Sequence, residues 1–242
     1  MSSDLTTAPF ANPPPQPQSP SRLYRIYRPA FHRHYEIKSS DERLLFYGNV
    51  SIFSFKKPEV TLHAGASDTA PIVAACKFVK FSGSFKLALG DPDDVNNVQW
   101  EDMTRDSALA LHSRFRFEMT VPDKTRAGYN ERRAFLWKRT HNEAVEGNSP
   151  LKASMRNFKL VEESTGQVVA VFNSEISFSK CGVLEVKADY GEAFDIMVVN
   201  SCVGLYERAR RRNNGAAASS GGGGGGFLCP ALLKIAYAFR IV

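Results

Sequence analysis

Long apolar runs are missing from this chain: none reaches the roughly 18 to 20 residues that a membrane-spanning helix needs, so no transmembrane span is expected. Cysteine is scarce as well. Cys76, Cys181, Cys202 and Cys229 lie far apart and form no C-x-x-C pair. That spacing argues against a zinc knuckle or a dense secreted disulfide framework and fits reduced thiols inside a cell. Residues 1–20 have neither the basic start nor the apolar core of a signal peptide, and secretion is not expected. No G-x-S-x-G elbow, H-E-x-x-H or P-loop occurs, and no glycine-rich phosphate loop stands between a strand and a helix pattern. The chain therefore reads as non-catalytic, with no cofactor implied.

Metal chemistry finds little support either. The histidines His32, His34, His63, His112 and His141 are scattered, and only His32-x-His34 has a spacing that pairs two imidazoles on one strand face, without further ligands. The acidic loop Asp91, Asp93, Asp94 with Asn96 and Asn97 lacks the calcium-loop frame and its terminal bidentate Glu, and reads as a solvated turn. No metal site is assigned.

What is present is a chain of 242 residues, 43% hydrophobic and 23% charged, enough for one sizeable core. Residues 1–21 form a Pro-rich tail carrying Pro13, Pro14, Pro15, Pro17 and Pro20, extended by composition and a candidate docking segment for a protein partner. Residues 213–226 read as a Gly/Ala/Ser linker, and 227–242, FLCPALLKIAYAFRIV, as a short apolar segment of uncertain status. The domain is expected over 22–212.

Within it, short apolar runs alternate with turn chemistry, the pattern of a β-rich sandwich or barrel. Strands are expected at 35–39, 44–47, 60–63, 72–78, 85–89, 109–120, 134–138, 157–162, 168–173 and 183–186. Gly48-Asn49, Gly90-Asp91-Pro92-Asp93 and Ser164-Thr165-Gly166 are expected turns; 89–102 and 142–150 read as insertions. The stretch His112–Met119 alternates most cleanly, with Arg114, Arg116 and Glu118 on one face and Phe115, Phe117 and Met119 on the other.

From Asp189 the period changes. Asp189 as N-cap with Glu192 three residues later has the spacing of a capping box. Ala193, Phe194, Ile196 to Val199, Cys202, Val203, Leu205 and Tyr206 cover nearly the whole helical circumference, interrupted by Asp195, Asn200, Ser201 and Gly204. A helix apolar all round must be enclosed, and this one is too short for lipid. Two β-strands are the alternative, because the run is rich in β-branched residues. Arg208, Arg210, Arg211 and Arg212 would complement the negative pole at the helix end.

The residues NFKLVEESTGQVVAVF at 157–172 and GVLEVKADYGEAFDIMVVNSCVGLYERARRR at 182–212 resemble the Tubby C-terminal-like superfamily, closest to its LURP-one-related and scramblase-like branch. The resemblance implies a mainly β fold: a closed antiparallel barrel of about twelve strands enclosing a hydrophobic C-terminal helix. It also suggests a partner, since Tubby proteins proper bind phosphoinositide headgroups through basic residues. With 31 basic against 25 acidic residues the formal charge is +6, a bias toward anionic membrane lipid. Arg114, Arg116, Arg132, Arg133, Lys138 and Arg139 are the candidate anion- or phosphoinositide-binding residues, chosen from charge and alternation alone; local ion pairs to Glu118 or Glu131 are the competing reading. A small-ligand carrier or enzyme with a barrel lumen is the alternative function. Nucleic acid is the least favoured partner, resting only on RARRR at 208–212. The expected setting is intracellular, cytoplasmic or at a membrane periphery, with the nucleus as the alternative.

Overall fold

A computed structural model describes residues 21–51, 57–105, 114–123, 126–145, 156–175 and 177–219. The strands are β1 (Arg22–Tyr27), β2 (His34–Lys38), β3 (Leu44–Val50), β4 (Val60–Ala64), β5 (Ile72–Phe78), β6 (Phe85–Leu89), β7 (Gln99–Arg105), β8 (Phe115–Pro122), β9 (Asn130–Arg139), β10 (Phe158–Glu162), β11 (Val168–Ser174) and β12 (Lys180–Val186). They are followed by α1 (Glu192–Ser219). Each strand pairs antiparallel with the next, and β1 pairs with β12, Tyr24 opposite Leu184, to close a barrel. Closure leaves no open edge among the described strands for another chain to extend.

The alternation that marks these strands is a statement about the barrel's two faces. Phe115, Phe117, Met119 and Val121 of β8 are buried, while Arg116, Glu118 and Thr120 between them are not. The inward rings stack into one core with α1: Phe117 lies 5.6 Å from Phe135, and Phe135 lies 5.1 Å from Phe194. His112, on the expected wet face, lies outside the described residues, as do 1–20 of the Pro-rich tail and 220–242.

Four local expectations need correction. Gly48 and Asn49 do not turn; they lie inside β3, where a Cβ at Gly48 would meet Tyr35 Cβ at 3.1 Å and a Leu62 methyl at 3.3 Å. The glycine is there to let two neighbouring strands approach. The expected insertion 89–102 contains the first part of β7, whose buried positions are Glu101 and Met103, so only one buried apolar residue advertises it. Arg132 and Arg133 do not precede β9 but lie within it. The arginines at 208–212 do not end the helix: α1 runs on to Ser219, across the first half of the expected linker, and its last turn carries no basic residue. Alanines at 216–218 favour continuation, so those arginines need another explanation than the helix dipole.

The helix also starts later than the capping-box spacing implies. Asp189 accepts a hydrogen bond from the Gly191 amide at 3.4 Å, and the first helical bond runs from Asp195 N–H to the Gly191 carbonyl, so Gly191 occupies the cap at φ +84°. Ala193, counted in the apolar surface, is exposed. Beyond it the enclosure argument holds: Phe194, Met197, Val198, Val199, Asn200, Cys202 and Val203 are inaccessible, though together they point in every direction around the helix. Three of the four residues that interrupted the apolar surface, together with Glu207 beyond it, fix α1 in place. Asp195 receives Arg22 and Tyr24 of β1. Asn200 donates to the Ala75 carbonyl at 2.9 Å, and Ser201 Oγ accepts from Trp137 Nε1 at 3.0 Å. Glu207 accepts from Tyr35 at 2.7 Å and pairs with Arg210 and Arg211 at 2.8 and 2.7 Å. A buried polar group without a partner is costly, so each of these contacts selects one axial and rotational setting of the helix.

Strand direction sorts the connections into two ends. Those after β1, β3, β5, β7, β9 and β11 emerge at one end; those after the even strands emerge at the other. Because α1 begins after β12, it enters at the second end, threads the barrel, and leaves at the first. Asp195 against Arg22 marks its entry; Arg208 on the Gly83 carbonyl and Arg211 on the Ser51 carbonyl, 2.9 Å, mark its exit.

Candidate anion-binding site

The six basic residues selected from charge and alternation do not converge. Arg114 is exposed just before β8. Arg116 pairs with Glu118 at 2.7 Å and Glu163 at 2.8 Å. Arg132 grips Glu101 with two bonds of 2.8 and 2.5 Å and reaches Glu118 at 3.1 Å. Arg133 bridges Glu131 at 2.8 Å and the buried Glu162 at 2.5 Å, with the Tyr190 hydroxyl at 3.1 Å. These three guanidinium groups spend their charge on barrel carboxylates, as the local ion-pair reading expected. Lys138 is half-buried on β9, one residue before Arg139. Of the six, Arg139 alone lines a cleft with other arginines.

That cleft, about 60 Å³, opens at the helix-exit end. It is lined by Gly83, Phe115, Phe158, Leu205, Ala209 and four arginines: Arg105, Arg139, Arg208 and Arg212. The fold supplies them separately. Arg105 is the last residue of β7, opposite Phe115; Arg139 is the last of β9, opposite Phe158; Arg208 and Arg212 sit one turn apart where α1 leaves. Among the described residues, no carboxylate lines the cleft.

The like charges act on one another. Burial lowers the Arg208 pKa first, and the neighbouring Arg212 and Arg105 lower it further; burial and then Arg212 do the same to Arg139. Arg208 is held by the Gly83 carbonyl and lies over the Phe85 ring, its guanidinium carbon 4.7 Å from the centroid. The apolar floor of Phe115, Phe158 and Leu205 lowers the local dielectric, which strengthens both the repulsion and the attraction for an anion. Planar guanidinium groups lining one cleft match the oxygens of a phosphate or carboxylate.

One helical turn away the same segment shows the opposite arrangement. Burial pushes the Glu207 carboxyl up, but hydrogen bonds from Arg210, Arg211 and Tyr35 outweigh it and hold it at about 2. The run RARRR therefore divides by helical position. Arg210 and Arg211 serve Glu207, whereas Arg208 and Arg212 face the cleft, and Arg212 is exposed.

Other candidate chemistry is accounted for locally. Asp91 and Asp94 accept hydrogen bonds from the amides of Asp93 and Asn96 and so fold their own loop. His32 and His34 do lie together, ring centroids 5.2 Å apart, but no group of three His, Cys, Asp or Glu residues able to hold a metal occurs among the described residues. Cys76, Cys181 and Cys202 are buried free thiols, and burial pushes Cys181 up to about 11. Such thiols are weak nucleophiles. The lumen that a small-ligand carrier would need is occupied by α1. Among the described residues, no helix is long and apolar enough to cross a membrane.

No family model matches the chain, and no curated protein matches it in sequence. Among solved structures it is similar to the X-ray structure of the protein AT5G01750 from Arabidopsis thaliana, at 14% identity and a TM-score of 0.45, over 78% of this chain and 91% of that one.

Proposed function

We propose that this chain is a non-catalytic barrel of the Tubby C-terminal-like kind that binds the phosphate groups of anionic phospholipid at its arginine-lined cleft. The observation that carries the reading is the convergence of Arg105, Arg139, Arg208 and Arg212 on one opening with no carboxylate among the described lining residues. A stable fold does not gain from crowding like charges; an anion placed between them relieves the repulsion. The cleft is small, which suits a headgroup phosphate and not an enclosed lipid tail.

Vesicle flotation tests it. At low salt the protein should float with vesicles containing phosphatidylserine or a phosphoinositide and remain behind with neutral phosphatidylcholine. Raising salt to about 0.5 M, where screening acts over only a few ångströms, should release it. Arg105→Ala combined with Arg212→Ala removes two exposed guanidinium groups without opening the core and should abolish the preference. Equal association with neutral and anionic vesicles at low salt would sink the proposal.

A further inference from the structure

The helix-exit end carries a second property besides its arginines. Phe31, in the β1–β2 connection, and Phe81, in the β5–β6 connection, are fully exposed; Phe178, between β11 and β12, is 68% exposed. All three connections follow odd-numbered strands and so lie at the same end as the arginine cleft. Phe31 and Phe178 meet edge to face, ring centroids 6.4 Å apart, and Gly83, in the same turn as Phe81, lines the cleft itself.

Single exposed apolar residues are ordinary. These are not placed ordinarily. Phe31 and Phe81 hold φ values of +64° and +62°, a region that Gly enters without strain, that Asn tolerates, and where a bulky residue is uncommon. Both hairpin tips thus keep a strained backbone while presenting an aromatic ring to the outside.

The opposite end has the reverse charge. Its six connections hold Asp41, Glu42, Asp68, Asp91, Asp93, Asp94, Asp123, Glu163 and Asp189 against Arg43, Lys124, Arg126 and Lys187. An anionic surface would attract one end and repel the other, which orients the barrel axis before contact.

We infer that the barrel docks end-on to an anionic lipid bilayer, with Phe31, Phe81 and Phe178 entering the interfacial layer while the cleft arginines engage headgroup phosphates. This rests on the headgroup reading above and adds an orientation and an apolar component to it. Aromatic side chains gain from the boundary between headgroups and acyl chains, and basic residues beside them supply the long-range attraction; the two together give stable binding where either alone is marginal.

The test uses full-length protein and phosphatidylserine-containing vesicles carrying brominated phosphatidylcholine as a depth-limited quencher. Phe81→Trp and Phe178→Trp should show fluorescence quenched by the brominated lipid, beyond the signal of the native Trp100 and Trp137. Tyr129→Trp, in the β8–β9 connection at the opposite end, should not. Phe31→Asn with Phe81→Asn should lower vesicle partitioning by roughly tenfold or more with an unchanged fold by circular dichroism. Wild-type binding to anionic vesicles with residues 81 and 178 unquenched overturns the end-on orientation and leaves the headgroup reading standing. Quenching at position 129 equal to that at 81 also overturns it. Absence of wild-type binding to anionic vesicles overturns both.

Discussion

Replacing Gly204 by alanine asks directly whether α1 is gripped by the barrel. Gly204 is buried and faces β5, and an alanine Cβ there would lie 2.6 Å from Cys76 Sγ. On an isolated helix the change is favourable by about 1 kcal/mol, because glycine loses more backbone entropy than alanine. Inside the barrel the sulfur must retreat by about 1 Å to reach van der Waals distance, and Cys76 is itself inaccessible, on a strand paired on both sides. Overpacking of this kind costs about 2–3 kcal/mol. The net is a loss of about 1–2 kcal/mol, or roughly 2–8 °C in Tm for a domain of this size. Thermal and urea unfolding of four proteins, wild type, Gly204→Ala, Cys76→Ala and the double variant, separates the contributions. The double variant should recover most of the loss, with a coupling of about 1 kcal/mol or more, since the removed sulfur leaves room for the added methyl. A stabilised Gly204→Ala single variant, or additive effects, would refute a close packing of helix on strand.

Gly182→Ala should be more damaging, by about 3 kcal/mol or more in urea unfolding, because its Cβ would strike the Asn173 carbonyl and lie 2.8 Å from the Phe172 ring, and backbone cannot step aside. Glu207 makes stability fall at acid pH. Its carboxyl is depressed from 4.5 to about 2 in the fold, so its contribution is complete above pH 4.5 and is lost as pH falls toward 2, up to roughly 3 kcal/mol. Glu207→Gln should cost about 3 kcal/mol at pH 7 by leaving Arg210 and Arg211 without their carboxylate, and its midpoint in urea should decline less than that of wild type between pH 4.5 and 2.5; equal decline would clear Glu207 of the effect. Phe81→Asn should raise stability by about 0.5–1 kcal/mol by relieving the left-handed backbone while weakening vesicle binding, a trade measured by pairing thermal melts with flotation.

Ten of the twelve strands were legible in the sequence, and the two that were not explain themselves. In β1, RLYRIY, the inward residues are only Tyr24 and Ile26, and in β7, QWEDMTR, Met103 stands alone beside a Glu101 whose charge is met by Arg132 on β9. A strand whose inward polar group is satisfied by a distant partner has no apolar signature to read. The cleft was half legible for the same kind of reason. Arg139, Arg208 and Arg212 stood out as basic residues, but so did Arg116, Arg132 and Arg133, and nothing local distinguishes an arginine beside a carboxylate from one beside another arginine. Arg105 carried no signal, being the end of the unread β7.

What local order along the chain decided was the class of object: period-two alternation with turn residues makes strands, and an apolar surface covering every face of the segment after Asp189 demands enclosure, whatever the strands' order. The three-dimensional fold decided the rest. It divided RARRR into residues serving Glu207 and residues facing a cleft, because a helix turns 100° per residue and barrel walls differ around it. It brought Arg105 and Arg139 to Arg208 because odd-numbered connections share an end in an antiparallel barrel. Long-range charge placement depends on which strands become neighbours, and neighbours along the barrel are set by closure, which no segment encodes alone.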